Sequence, residues 1–172
     1  ATVRITADGG LEVRAGIHSH GQGMETTLAQ IANEVLGVPI QKIKVVHGDT
    51  ALTPYSTGTY ASRSIVMAGG AVAATCRELV PRLIKIGAHI LGEPEDAVRY
   101  EAGEVVGTTG RVSLAEIGHA WYLRPERLPP GVDLTGLEAT QGFKPKVDTG
   151  AFSYATHAAA VAVDTKTGHV DI

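Results

Sequence analysis

A stripe of apolar and small residues constrains the fold more than any other feature: Ile65, Gly69, Val72, Cys76, Leu79, Leu83, Ile86 and Ile90 recur at spacings of three and four after Ser62. That period marks one face of a long helix, and such a face is stable only when other elements cover it. Cys76 lies on the stripe and reads as core. Pro81 falls inside the pattern, where it removes one backbone donor and crowds the preceding turn. A kink, or two helices meeting near Val80, is expected there.

The remaining elements are short enough to pack against that helix. The opening VRITADGGLEVRAGI reads as two strands joined at Asp8-Gly9-Gly10, where glycine supplies the positive φ of a tight turn. From Gln22 to Leu36, Met24, Leu28, Ile31 and Val35 mark a helix face, and Gly37 and Pro39 end it. Ile43 to His47 reads as a strand. Two short strands, AVRYE and EVVGT, flank Ala102-Gly103, and Ser113 with Glu116 has capping-box spacing for a helix reaching about Trp121. The segment 124–145 holds four of the eight prolines and reads as an irregular surface excursion. Phe152 to Val163 is apolar and alanine-rich, and turns at Asp164 to Gly168 into a last strand. The order β-β-α-β-α-β-β-α-β-β predicts an α+β fold, a mixed sheet with helices packed on one face.

With 172 residues the chain suits a single domain, and its two ends read as cuts in a longer parent whose N-terminal and C-terminal parts lie outside it. A net charge of −3 argues against a nucleic-acid groove. One cysteine excludes an internal disulfide or an iron–sulfur cluster held by this chain alone, and makes reducing cytoplasm the expected compartment. No apolar run approaches the roughly 18 residues of a membrane-spanning helix, and the first residues lack the pattern of a secretory signal.

Two loops carry the chemical signal. Gly21-Gln22-Gly23 stands directly before a helix, followed by Glu25, Thr26 and Thr27. Free N–H groups of a first helical turn attract anions, and glycine lets a phosphate approach the backbone closely. The hydroxyls of Thr26 and Thr27 and the amide of Gln22 are candidate donors. Neither a Walker sequence nor a dinucleotide fingerprint is completed. The second loop, DTALTPYSTGTYASR, ends in Thr57-Gly58-Thr59-Tyr60-Ala61-Ser62-Arg63-Ser64 and repeats these physics at the long helix, with Arg63 as a cation. A phosphorylated ligand bridging both loops is expected. A helix cap at Ser62 without any ligand is the alternative. His18 and His20 alternate along an extended segment, but two imidazoles with no nearby third ligand make a poor metal site, so none is expected. Asp49 reads as an Asx-type turn to Thr50.

The ordered set GQGMETTLAQI, VVHGDTALTPYSTGTYASRS and a long helix with paired glycines near its start resembles the molybdenum-cofactor-binding large subunits of the xanthine dehydrogenase, aldehyde oxidase and carbon monoxide dehydrogenase family. The resemblance runs from about Gly9 to Ile172. It implies that Gly21, Gln22, Gly23, Glu25, Thr26 and Thr27 lie against a molybdopterin cytosine dinucleotide. It also implies that Thr59, Ser62, Arg63 and Ser64 face the same cofactor, with Tyr60 and Ala61 near the substrate. Tyr60 departs from the small residue frequent at its position, Met24 from a frequent histidine, and Pro81 is atypical of the helix. The family's catalytic glutamate belongs to a Gly-x-Gly-Glu motif that does not occur here, so this chain holds no catalytic residue and is expected to be inactive alone. Iron–sulfur (2Fe-2S) and FAD subunits or domains are the implied partners, with a small-molecule substrate hydroxylated by oxygen from water. A non-catalytic phosphate- or nucleotide-binding module is the alternative from another class. An interaction domain using the 124–145 excursion is the third.

Overall fold

The computed structural model describes residues 1–146 and 154–172. Strands β1 (Thr2–Ile5) and β2 (Leu11–Arg14) form the expected hairpin, helix α1 (Met24–Leu36) follows, and β3 (Ile43–Val46) returns beside β2. Helix α2 (Gly70–Leu91) is entered through a π-helical turn, Ile65–Gly69. Strands β4 (Arg99–Glu101), β5 (Glu104–Val106) and β6 (Arg111–Ser113), helix α3 (Leu114–Leu123) and strand β7 (Glu138–Thr140) come next. The hairpin β8 (Ala162–Val163) and β9 (Val170–Asp171) closes the order.

The main sheet has the order β3-β2-β1-β7, with β2 and β3 parallel and the other pairs antiparallel, so it is mixed as expected. Val3 and Val13, and Ile5 and Leu11, oppose each other across β1 and β2 and are fully or almost fully buried. Leu28, Ala32 and Leu36 of α1 and Val72, Cys76, Leu79, Leu83 and Ile86 of α2 cover that face. Each large aliphatic side chain so buried contributes about 2 kcal/mol. Burial also pushes the Cys76 thiol up to about 12, so it behaves as a hydrophobe. The other face carries charge. Lys44, Glu12, Arg4 and Glu138 alternate in sign along one cross-strand row, and Glu12 lies 3.1 Å from Arg4. Burial works against the Glu12 carboxylate, but its bond to Arg14 and the charges of Arg4, Arg14 and Lys44 outweigh it and hold its pKa low.

Helix α2 reaches past this sheet to a second one, the antiparallel β4-β5-β6. Gly87 makes that approach possible, because a Cβ there would lie 2.5 Å from Val105 of β5. Pro81 does not split the helix, which runs unbroken from Gly70 to Leu91. Both Pro81 and Arg77, whose carbonyl loses its partner, are exposed residues, so the helix loses that bond on its solvent side.

Five expectations are corrected. Strand β6 was not anticipated; its Val112 is buried, but three residues are too short for a period to show. The 124–145 segment is not wholly irregular, since it carries β7 and the fully buried Leu137, and β7 closes the edge of the main sheet beside β1. The long helix does not start at Ser62, which has φ 55°, but beyond Ser64. The apolar face of α1 is rotated toward Ala29, Ala32 and Leu36, leaving Ile31 and Val35 on its flank. Of the expected element Phe152 to Val163, Phe152 lies outside the described residues, 154–161 are non-helical and unpaired, and Ala162–Val163 is strand.

Candidate functional site

Because β2 and β3 are parallel, their C-terminal ends point the same way, and the loops that follow them leave the sheet together. The ends of parallel strands are where ligands commonly sit in such sheets. The pairing continues past the strands through Ala15 N–H to Val46 O (3.0 Å) and Gly48 N–H to Ile17 O (3.0 Å). Gly16 then admits the second loop at close quarters, since a Cβ there would lie 2.3 Å from Pro54 O. Asp49 turns that loop by accepting the N–H of Ala51, one residue beyond the Thr50 expected.

Thr59 joins the two loops. Its Oγ1 accepts the N–H of His18 (2.9 Å) and donates to the His18 carbonyl (2.7 Å). Between them lies an open cleft of about 400 Å³. Gln22, Thr27, Thr59, Tyr60, Ala61, Ser62 and Ser64 line it, so the structure brings together seven of the residues singled out from both loops. His20, Met24 and Ile65 complete the wall. Glu25, Thr26 and Arg63 do not line it, and Gly21 and Gly23 shape the turn into α1 from its edge.

The donors facing the cleft differ from those expected. The Thr27 hydroxyl is turned into its own helix, toward the carbonyls of Gly23 and Met24 (3.2 Å each), and the Thr59 hydroxyl is used by His18. Arg63 donates to Thr57 Oγ1 and to Gly58 O, at 3.0 Å each, and lies 4.9 Å from the centre of the Tyr60 ring. It is a brace for the loop, with its charge directed away from the cleft. Glu25 is held by its own backbone N–H, by His47 Nε2 at 2.7 Å and by Ser19, all of which lower its pKa, with burial opposing weakly. The Glu25 carboxylate can only accept, so Nε2 of His47 is the donor in this pair, while His47 Nδ1 is buried without a partner among the described residues.

Three groups remain free. Gln22 accepts the His20 N–H through Oε1, which leaves its NH₂ as a donor. Ser64 is only 8% exposed, faces the cleft, caps no backbone group and has no partner among the described residues. The start of α1, with Gly23 at φ 73° and no N-cap side-chain bond, presents its first-turn N–H groups other than that of Glu25, which its own carboxylate takes. Gly21, Gly23 and Gly58 have positive φ and open space where a Cβ would stand. Ala61 and Ser62 have φ 53° and 55°, a left-handed pair without glycine, and the π turn begins three residues on. Strained backbone of this kind concentrates at ligand sites, as π turns do. Among the described residues no group of three or more His, Cys, Asp or Glu side chains is placed to hold a metal ion. A second hollow of about 480 Å³, beside Gly16, Ile17, Pro54 and Tyr55, contains none of the residues predicted for the site.

The contribution of His20 and the pairing of Glu25 with His47 were not read from the sequence. His20 was weighed only as a metal ligand, and the tie between Glu25 and His47 depends on the parallel return of β3, which no local pattern encodes.

A family model described as a molybdopterin cofactor-binding domain matches residues 1–172. The nicotine 6-hydroxylase large subunit of Paenarthrobacter nicotinovorans is 36% identical over 177 residues, covering 100% of this chain and 21% of that protein. The carbon monoxide dehydrogenase large chain of Hydrogenophaga pseudoflava is 34% identical over 173 residues, covering 99% of this chain and 21% of that protein. The crystal structure of quinoline 2-oxidoreductase from Pseudomonas putida 86 superimposes with a TM-score of 0.74 at 35% identity, covering 84% of this chain and 19% of the other. The chain thus spans about a fifth of the length of the curated relatives it matches.

Proposed function

This chain belongs to the molybdopterin cofactor-binding domain family, and from that premise we propose that it forms one wall of the cofactor site in the large subunit of a molybdenum hydroxylase. The observation that carries the reading is the convergence of two loop-to-helix junctions on one cleft whose free groups are nearly all donors. Such a wall suits phosphate and the polar edge of a pterin.

The residues present fit the group. Open space at Gly21 and Gly23 gives a phosphate access to the first-turn N–H groups of α1. Ser64, a residue only 8% exposed that lines the cleft, offers its hydroxyl as a donor. Gln22 offers its NH₂, and Ser62 is held in a conformation that a ligand would help to maintain. Tyr60 and Ala61 form the part of the wall nearest a small substrate, with Tyr60 fixed by Arg63 on one ring face and by Thr57 at its hydroxyl (3.3 Å). Arg63, Thr59, Glu25 and His47 hold the two loops in register. The bound cofactor supplies the redox centre at which a substrate carbon is hydroxylated with oxygen from water. This chain binds, orients and narrows, and the catalytic acid–base group belongs to another part of the parent.

The cofactor takes its cytosine dinucleotide form in this proposal, the parent is a cytoplasmic oxidoreductase, and electrons leave through iron–sulfur and flavin partners. No helix among the described residues is long and apolar enough to cross a membrane. The test is molybdenum content and acid-released CMP, measured by mass spectrometry on the full-length parent from its own host. Stoichiometric metal and CMP are expected. Nucleotide without molybdenum would return the cleft to a phosphate-binding module, and neither in a folded parent would overturn the reading.

A further inference from the structure

The stretch from Tyr154 to Val163 contains no Asp, Glu, Lys or Arg, no glycine and no proline, yet every residue from Tyr154 to Ile172 is exposed. Its end is a built element. Gly168 donates to Asp164 O (2.7 Å), Asp164 N–H to His169 O (2.9 Å), and the Asp164 carboxylate accepts the N–H of Lys166 (2.8 Å), so the turn between β8 and β9 is specified by its own residues. Val163 stands opposite Val170 in that hairpin, and Ala162 opposite Asp171. Side chains two residues apart on a strand share a face, so Val161, Val163, Val170 and Ile172 form one aliphatic face. It is bare: these four are 54%, 54%, 49% and 97% exposed. Strands β8 and β9 pair only with each other, which leaves each with a free edge.

A lone two-stranded hairpin is marginal in water, and an uncharged apolar strand with an open edge is a template for aggregation unless something covers it. The body of this chain offers no matching surface on its main sheet. One face of that sheet is filled by α1 and α2, and the other carries the charged row Lys44, Glu12, Arg4 and Glu138. A second copy brings only the same two short strands: pairing edge to edge leaves the aliphatic faces open, and stacking face to face leaves the edges open. The relatives supply a third candidate, because this chain spans about a fifth of their length and the greater part of such a large chain lies outside residues 1–172. We propose that residues 154–172 form an arm that docks on another lobe of the same large chain, where the free edge of β8 extends a sheet and Val161, Val163, Val170 and Ile172 complete an apolar core. Main-chain bonds along the edge give such strand addition its affinity, and the alternate side chains give it specificity. The arm uses none of the residues that line the cleft, so its role stands whether or not the cleft holds a cofactor.

The experiment uses the full-length parent as purified. Hydrogen–deuterium exchange read by mass spectrometry should show the amides of 160–163 and 170–172 exchanging about a hundredfold or more slowly than free peptide. Exchange at free-peptide rates would overturn the proposal. The occupant is identified by replacing Tyr154 with p-benzoylphenylalanine, irradiating the folded protein and mapping the cross-linked peptides. The expected product joins Tyr154's position to a residue of the same polypeptide outside residues 1–172, with the mass of one large chain on a denaturing gel. A cross-link confined to residues 1–146, one to a second large chain or to a different subunit, or none at all, would overturn the proposal. Val163→Lys sets a charge on the aliphatic face and should raise exchange across the arm to free-peptide rates; full protection in that variant would also count against docking. The wild-type exchange and the cross-link decide the matter even where Val163→Lys does not fold. Molybdenum measured in the same wild-type sample bears on the cofactor reading alone, so the two can fail separately.

Discussion

The two junctions that meet at the cleft solve the same problem by different means. At the first, Gly23 takes the left-handed conformation at no steric cost, α1 starts as a regular helix, and Glu25 with His47 and Ser19 braces the turn. At the second, Ala61 and Ser62 take that conformation against their Cβ atoms, a π turn intervenes before α2, and Arg63 braces the loop on neutral oxygens. The first brace contains a titratable carboxylate; the second is a fixed cation on Thr57 and Gly58. One wall is relaxed and pH-sensitive, the other strained and insensitive to pH.

The comparison breaks most severely at Gly16, where the loops touch. Gly16→Ala would set a Cβ 2.3 Å from Pro54 O and 2.6 Å from Ser56 Cβ, forcing the second loop outward. A loss of about 3 kcal/mol in urea denaturation is expected, with loss of cofactor from the parent. Thr59→Val removes both bonds to His18 and strands their backbone groups, for about 2 kcal/mol; an unchanged urea midpoint would show that the loops are joined elsewhere.

Opposite signs are expected at the two left-handed positions. Gly23→Ala should cost about 1 kcal/mol, while Ala61→Gly should be neutral or stabilise by up to about 1 kcal/mol. A destabilised Ala61→Gly protein would mean that the second junction is not strained. The smallest effect is the acid limb. Glu25 has its pKa lowered by its own backbone N–H, His47 and Ser19, so its contribution is complete above the ordinary carboxylate value of 4.5 and is lost as pH falls through the lower folded value. Glu25→Gln should flatten that limb of the stability curve. Arg63→Gln should lower stability without changing its shape.

Most of this arrangement was legible where the signal is local. The glycines before α1, the Ser113–Glu116 capping box and the α2 stripe are each encoded within a few turns of chain, and the structure contains them, with both Ser113 and Glu116 contributing to the cap. The allocation of donors was not legible. Whether Arg63 faces a ligand or its own loop depends on where Thr57 and Gly58 fold, and whether Thr27 is free depends on a bond to a carbonyl four residues back. Strand β7 was hidden for a related reason: three residues with alternating exposure acquire meaning only when β1 is beside them.

The parallel placement of β2 and β3 also has a kinetic meaning. The hydrogen bonds between His18 and Thr59 span 41 residues, so the cleft is a long-range contact made of two loops that have no attraction for each other until the α1 crossover has docked. The sheet must be assembled before the binding wall exists. Any ligand of the cleft therefore meets a wall that exists only after the strands and α1 have come together.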